Sequence, residues 1–320
     1  MGKLLMGREI AANLHEAVGA QIKNVREERN LQAAPVLAIV AFPGDDTLLR
    51  AELIFHEHVA RTVGIDVRTI LFDLKASEQE VINAIAEQNE DPAVFGVLAL
   101  LPLPEHLDQE VIFAAIDPSK EMEGLVDAGA GDDIDVFDLD DPGLMVQKRS
   151  STIRAVRLLL NSIEFQFQRS RNVFVTEDEI ADNPLVARLL ELSTRVNVSV
   201  AVATTRDLNV RSVTRNADLV LISVKSPEIV DDTYLKNGAV VIDFNPIMVG
   251  EKYSEEKRRR VPLLKSGVKV EAALSKAAYV APAVGGVGPV SVASMMLNLA
   301  INYRASAVKV PWMLAANRAL

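Results

Sequence analysis

Residues 35–42, PVLAIVAF, form an apolar run of the length of a β-strand. Two similar runs follow, DVRTILF at 66–72 and VFGVLALL at 94–101. Strands that are apolar throughout, rather than at every second residue, are typically buried on both faces. The segments between these runs have the apolar spacing of helices. The alternation therefore predicts an α/β fold, with a parallel sheet covered by helices on both sides.

Periodicity and capping signals mark the flanking helices. Ser77 followed by Glu80 fits a capping box, in which each residue satisfies a free backbone N–H at a helix start. This pair predicts a third helix in the first half of the chain. The apolar positions that predict the first two helices are Ile10, Leu14, Val18, Ile22 and Val25, and then Leu53, Val59 and Val63.

Composition excludes several classes of protein. The 320 residues include 34 Lys or Arg, 44 Asp or Glu and no cysteine, which gives a net charge of −10. Without cysteine there is no disulfide scaffold, thiolate metal site or Cys nucleophile, and we expect no metal centre. The acidic balance argues against nucleic-acid and membrane-surface partners, because both are polyanionic. No apolar run approaches the ~20 residues of a membrane span, and the first residues lack a signal-peptide pattern. We expect a cytoplasmic protein.

A second alternating series follows an acidic segment. Residues 127–143 carry seven acids and three glycines, which favours a solvated loop between domains over a metal site. A chain of this length suggests two domains. Beyond the loop, a helix at 153–160 leads into predicted strands at 172–176, 196–203, 219–224 and 239–243, and a final helix contains residues 295–303.

Several short strings occur together in one order. The most unusual are LLPLPEHLD (100–108), DPSKEMEG (117–124) and PAVGGVGPVSVAS (282–294); GREIA, NADLVLISV and GAVVIDF begin at residues 7, 216 and 238. In this order and spacing the chain resembles the bifunctional methylenetetrahydrofolate dehydrogenase/cyclohydrolases, from about residue 7 to 302.

The resemblance implies a specific architecture and chemistry. It implies an N-terminal three-layer α/β domain at 1–148, a Rossmann-type domain at 149–289, and a last helix at about 290–320 that returns to the first domain. It also implies a folate cleft between the domains, a homodimer, hydride transfer from methylenetetrahydrofolate to NADP, and water attack on the methenyl product.

The glycine string near the end of the chain has two interpretations. Glycines let a backbone approach a flat ligand closely and expose N–H donors at a helix start. On that interpretation Pro282, Gly285 and Gly286 contact the substrate. The alternative is a tight turn before the last helix.

The catalytic positions have changed. Where the family's catalytic helix carries a Tyr and, four residues later, a Lys, this chain has Glu52 and His56. Residues four apart lie on one helix face, so the Glu52 carboxylate is expected to accept a hydrogen bond from His56 and fix its tautomer. His56 would then carry the proton near neutral pH. The alternative is a surface Glu/His pair.

The folate positions are altered as well. The family's Gln in QLPLP is Leu100 here, with Pro102 following, and its pterin-binding Asp in DVDG is Glu123. A glutamate can still accept charge-assisted hydrogen bonds from pterin N–H groups. A tetrahydrofolate derivative therefore remains the expected ligand.

The nucleotide turn has departed further from the family. Its GxSxxxGRP-like string reads TEDEIADNP at 176–184, so that Thr176, Asp178, Asp182 and Asn183 occupy the phosphate turn, and Lys225 replaces a later glycine. The acids of this turn would lie where a cofactor phosphate is expected, and like charges at ~4 Å repel by roughly 4 kcal/mol at an effective dielectric near 20. We therefore expect NADP binding to be unlikely.

These observations leave three hypotheses. The first is a folate-dependent enzyme that transfers or hydrolyses the one-carbon unit without NADP. The second is a catalytically inactive regulatory or assembly paralogue. The third, which the altered nucleotide turn disfavours, is an authentic dehydrogenase/cyclohydrolase.

Overall fold

A computed structural model describes residues 2–124, 150–177 and 200–316. They form two compact units. The N-terminal unit contains residues 12–124, 150–151 and 292–316, and the C-terminal unit contains residues 2–11, 152–177 and 200–291. The predicted boundary near residue 148 lies outside the described residues. No helix in the described ranges combines the length and apolarity needed to cross a bilayer.

From α1 to β4 the helices and strands alternate as the sequence predicts. The helices are α1 Arg8–Glu28, α2 Thr47–Thr62, α3 Glu78–Glu90, α4 Gln109–Ala114, α5 Ser151–Asn161, α6 Val210–Thr214, α7 Val270–Ala273 and α8 Val287–Ala316. The strands are β1 Lys3–Leu4, β2 Val36–Ala41, β3 Asp66–Leu71, β4 Val94–Ala99, β5 Asn172–Thr176, β6 Val200–Thr204, β7 Leu219–Ser223, β8 Val240–Asp243, β9 Ile247–Ser254, β10 Arg259–Lys265 and β11 Tyr279–Ala281.

The N-terminal unit is built on a parallel sheet in the order β3-β2-β4. One face of the sheet packs on α3 and α4, with Val40, Ile85 and Ile112 in one buried cluster. On β4, Gly96 leaves room for Leu299 of α8, and Asn302 of the same helix donates a hydrogen bond to the Phe95 carbonyl oxygen at 3.1 Å. The last helix therefore returns to this unit, as predicted.

The C-terminal unit has a six-stranded parallel sheet in the order β1-β11-β8-β7-β5-β6. The chain passes from β5 to β6 on one side and then to β7 on the other side of β5. This reversal of strand order is the topological switch point of a Rossmann-type sheet. The two-domain α/β prediction is confirmed.

Two features of the C-terminal unit differ from the sequence prediction. β1 pairs with β11, so residues 2–11 belong to this unit rather than to the predicted N-terminal domain. Two residues of strand carry too little periodicity to reveal a partner near residue 280. The antiparallel hairpin of β9 and β10 was not predicted either, because most of its side chains are half-buried or exposed and lack an apolar run.

Lys120 ties the loop after α4 to the end of α3. Its Nζ donates hydrogen bonds to the backbone carbonyl oxygens of Gln88, Asn89 and Asp91 at 3.0, 2.6 and 2.8 Å. The last carbonyls of a helix have no partner within the helix, so a cation placed there stabilises the end. The predicted capping box of Ser77 and Glu80 is confirmed at the start of α3.

We expect Lys120→Met to lower the free energy of unfolding of the N-terminal unit by about 1–3 kcal/mol, because it leaves carbonyl groups without their charged donor. Urea unfolding followed by circular dichroism measures this loss. Lys75→Met removes an exposed lysine and is the matched control, with an expected change within about 0.5 kcal/mol. Equal losses in the two variants would contradict the bracing role.

Candidate functional site

Helix α2 carries both predicted catalytic residues. The Asp46 side chain starts the helix by accepting hydrogen bonds from the N–H groups of Leu48 and Leu49 at 2.8 and 3.0 Å. The buried positions of α2 include Leu53 and His56, which place the imidazole on the inward face of the helix. His56 is 7% exposed, whereas Glu52 is half-buried. The pair is therefore not a surface pair.

The hydrogen bond between these two residues differs from the prediction. His56 Nδ1 lies 2.8 Å from the backbone carbonyl oxygen of Glu52, and the predicted bond to the Glu52 carboxylate is not the one formed. Side chains on a helix lean towards its N-terminus, which brings the ring to the carbonyl one turn earlier. A carbonyl only accepts, so Nδ1 is the donor and Nε2 carries the lone pair in the neutral ring.

Burial affects the two groups in opposite ways. It lowers the pKa of His56 below its ordinary value, against the opposing effect of the bond to the Glu52 carbonyl. Burial, followed by the negative charge of Asp46, raises the pKa of the Glu52 carboxyl to about 7. At neutral pH the His56 imidazole is therefore neutral, while the Glu52 carboxyl can exchange a proton.

A second carboxyl pair lies in the loop that Lys120 braces. The Glu121 carboxylate is buried and accepts hydrogen bonds from the backbone N–H groups of Glu123 and Gly124, at 2.5 and 2.9 Å. Asn298 of α8 donates to the Met122 carbonyl oxygen at 2.6 Å. Burial, and then the charge of Glu121, raises the pKa of Glu123 to about 7. The loop thus presents Glu123 from a fixed backbone.

The predicted folate positions Leu100 and Pro102 follow β4 and differ in exposure. Leu100 is 5% exposed, and its N–H donates to the Val40 carbonyl oxygen at 2.9 Å. Pro102 is exposed. Leu100 therefore completes the core at the strand end, and Pro102 is available at the surface.

Pro282, Gly285 and Gly286 lie in the C-terminal unit, directly before α8. The Gly286 N–H donates to the Pro282 carbonyl oxygen at 3.1 Å, and Gly285 has a φ of +84°. A Cβ at position 286 would lie 2.3 Å from the Pro282 oxygen, so the turn requires glycine there. These contacts account for a tight turn. Their predicted contact with a substrate stays a prediction.

The degenerate phosphate turn is described only at its start. Asp178, Asp182 and Asn183 lie outside the described residues, and Thr176 is buried at the end of β5. Glu177 Oε2 accepts hydrogen bonds from the backbone N–H groups of Lys225 and Ser226, at 2.5 and 2.8 Å. This carboxylate therefore binds to backbone donors after β7.

Sequence reasoning missed Arg206. This exposed residue follows β6, the second strand of the Rossmann-type series. In dinucleotide-binding sheets an acid at the end of the second strand binds the ribose hydroxyl of NAD, whereas an arginine nearby accommodates the 2′-phosphate of NADP. Counting strands from β5 would have identified the position. Among the described residues, no group of three or more His, Asp or Glu side chains could share a metal ion.

Comparisons with known proteins identify two family domains in succession along the chain. The model of the tetrahydrofolate dehydrogenase/cyclohydrolase catalytic domain matches residues 5–123. The model of the NAD(P)-binding domain of the same family matches residues 150–307. Bifunctional protein FolD from Zymomonas mobilis is 30% identical over 296 residues, which cover 92% of this chain and 94% of that protein. FolD from Bradyrhizobium diazoefficiens is 30% identical over 298 residues, covering 92% and 94%.

Solved structures show the same fold. The Trypanosoma brucei methylenetetrahydrofolate dehydrogenase-cyclohydrolase, complexed with NADP cofactor and inhibitor, superposes with a TM-score of 0.77 at 22% identity, covering 97% of this chain and 99% of that one. The FolD enzyme of Campylobacter jejuni gives 0.74 at 20% identity, covering 96% and 100%. The chain belongs to the tetrahydrofolate dehydrogenase/cyclohydrolase family.

Proposed function

We propose that this chain oxidises methylenetetrahydrofolate with NADP and hydrolyses the methenyl product. The observation that carries this proposal is that one chain contains both the catalytic domain and the NAD(P)-binding domain of the family. The catalytic-domain model and the NAD(P)-binding model match in succession, and the chain spans 94% of a FolD relative. The sequence-based preference for an enzyme that does not use NADP is given up, because a matched NAD(P)-binding domain argues against it.

The described residues fit a dinucleotide. The carboxyl ends of β5 and β7 flank the switch point, where such ligands bind in open parallel sheets. The N–H groups of Lys225 and Ser226 bind an anionic oxygen, and Arg206 suits a 2′-phosphate. NADP, when bound, accepts a hydride from the one-carbon unit.

Glu123 is the proposed partner of the pterin ring. Its backbone is held by the bonds to Glu121, so that the side chain has a fixed origin. When ionised, it accepts charge-assisted hydrogen bonds from two pterin N–H groups. Burial raises the pKa of Glu123 to about 7, and the N–H donors of a bound pterin would lower that pKa and favour the ionised carboxylate. Pro102, Pro282, Gly285 and Gly286 remain proposed contacts of the substrate.

Glu52 is the proposed proton acceptor in the hydrolysis. A water molecule forms a bond from its oxygen to the methenyl carbon, and its proton passes to the ionised Glu52 carboxylate. The oxygen then loses its second proton to solvent and forms the formyl C=O bond, while one of the two C–N bonds of that carbon breaks and its nitrogen takes up the proton that Glu52 accepted. His56 stays neutral because it is buried, and its bond to the Glu52 carbonyl oxygen fixes the orientation of the ring.

Steady-state assays test the proposal. We expect reduced nicotinamide to form from methylenetetrahydrofolate and NADP, and methenyltetrahydrofolate to disappear faster than in buffer. Folate binding without either reaction would overturn the proposal in favour of an inactive regulatory or assembly paralogue. Loss of methenyltetrahydrofolate without any reduced nicotinamide would restore the NADP-independent enzyme.

We expect Glu52→Gln to slow methenyl hydrolysis by ~100- to 10,000-fold, because the amide cannot accept the proton. In the parent, the rate should fall as the pH drops below about 7, since Glu52 must be ionised to act as a base. This ionisation should disappear from the pH profile of the variant.

Glu57→Gln is the matched control on the same helix. Glu57 pairs with Arg61 and Thr69, and this replacement should leave the pH profile unchanged. A Glu52→Gln variant that keeps the parent's rate and pH profile would exclude Glu52 as the base.

We expect Arg206→Ala to weaken NADP binding by about 10- to 100-fold, as for the loss of a charge-assisted hydrogen bond of 1.5–3 kcal/mol. NAD binding should change little, because NAD has no 2′-phosphate. Calorimetric titration with both nucleotides measures the difference. Lys257→Ala removes an exposed cation from the β9–β10 turn and serves as the control. Equal weakening of NADP and NAD would contradict the assignment.

The proposed assembly is a homodimer, as the family resemblance implies. Light scattering at micromolar concentration should give twice the single-chain mass of 34.8 kDa. A mass equal to that of one chain would contradict it.

A further inference from the structure

Two backbone N–H groups converge at the switch point of the C-terminal sheet. Lys225 and Ser226 follow β7, and both N–H groups donate to a single oxygen, Oε2 of Glu177. Successive backbone N–H groups that share one acceptor form a concave anion-binding site. We call this pair of donors the switch-point seat. Its occupant in this structure is a carboxylate of the same chain.

The residues on both sides of the seat are fixed, on one side by packing and on the other by a backbone hydrogen bond. Val224, directly before the seat, is 1% exposed. Its side chain packs so closely on Gly267 that a Cβ added to Gly267 would lie 2.2 Å from the Val224 side chain. After the seat, the Glu228 N–H donates to the Ser266 carbonyl oxygen at 2.9 Å. The donors are therefore fixed by the sheet and the neighbouring loop.

The occupant is held less firmly than the seat. Glu177 follows β5 directly and reaches the seat through a flexible side chain of three rotatable bonds. The side chain can rotate away without breaking strand pairing, because the ladder between β5 and β7 ends at Thr176 and Ser223. Withdrawal would expose the two donors and remove a negative charge from the crevice.

A phosphate can bind at the seat only if the two N–H donors are exposed and the negative charge of Glu177 is removed. Its oxygens are the acceptors that paired backbone N–H groups bind well. It also repels a carboxylate at short range. A phosphate and the Glu177 carboxylate thus compete for the same two donors.

We propose that the switch-point seat binds a phosphate oxygen of the dinucleotide and that Glu177 occupies the seat in competition with it. Glu177 is then a residue that sets cofactor affinity: the cofactor enters only when the carboxylate withdraws. This inference rests on the proposed use of NADP for the identity of the ligand. The competition for an anion does not depend on it.

The experiment compares the full-length parent with Glu177→Gln, which keeps the shape of the side chain and removes its charge. Calorimetric titrations with inorganic pyrophosphate and with NADP give both affinities without turnover. We expect both ligands to bind about tenfold more tightly to the variant, since a neutral amide oxygen is a weaker competitor than a carboxylate. Glu271→Gln removes an exposed acid of the same unit and should leave both affinities unchanged.

Glu177→Ala provides a second variant, which empties the seat without an amide that could compete. Unchanged or weaker pyrophosphate binding in both Glu177 variants overturns the inference, even if the parent oxidises methylenetetrahydrofolate with NADP. Tighter pyrophosphate binding in a chain that never binds NADP supports the competition and overturns the proposed function instead. The two failures are therefore distinguishable.

Discussion

The burial of parallel strands on both faces constrains where this protein can place its chemistry. β2, β4, β5, β7 and β8 are buried along almost their whole length, so they carry no polar groups for a ligand except near their ends. The groups proposed to act in the C-terminal unit accordingly follow the carboxyl ends of strands. Glu177 comes after β5, Arg206 after β6 and Lys225 after β7. Each is placed by a strand that the hydrophobic core holds in register.

In the N-terminal unit the partial burial of carboxyl groups determines which side chains can exchange a proton at neutral pH. Desolvation raises the pKa of both Glu52 and Glu123 to about 7. Burial also keeps His56 neutral. The histidine at the position of the family's lysine is therefore not a cation at neutral pH. It leaves a carboxyl as the group that exchanges protons at neutral pH, and the bracing contacts of Lys120 keep the second carboxyl, Glu123, in place.

The sequence predicted what depends on local pattern. Apolar runs located β2 to β8 to within a few residues, and Ser77 with Glu80 located the start of α3. It did not predict what depends on distant partners. β1 is defined by its pairing with β11, and the partner of His56 by the direction in which a helical side chain leans. The acidic phosphate turn suggested that NADP binding is unlikely because its charges were counted without their partners, whereas the Glu177 carboxylate is bound by backbone donors.

Transfer of deuterium tests the central claim, that this chain passes a hydride from a folate one-carbon unit to NADP. The protein is incubated with NADP and methylenetetrahydrofolate labelled with deuterium at the one-carbon position, and the nicotinamide is examined by mass spectrometry. The account predicts deuterium in the reduced nicotinamide, at a rate proportional to enzyme concentration. Unlabelled nicotinamide, in a sample where the folate is shown to be bound, would contradict it.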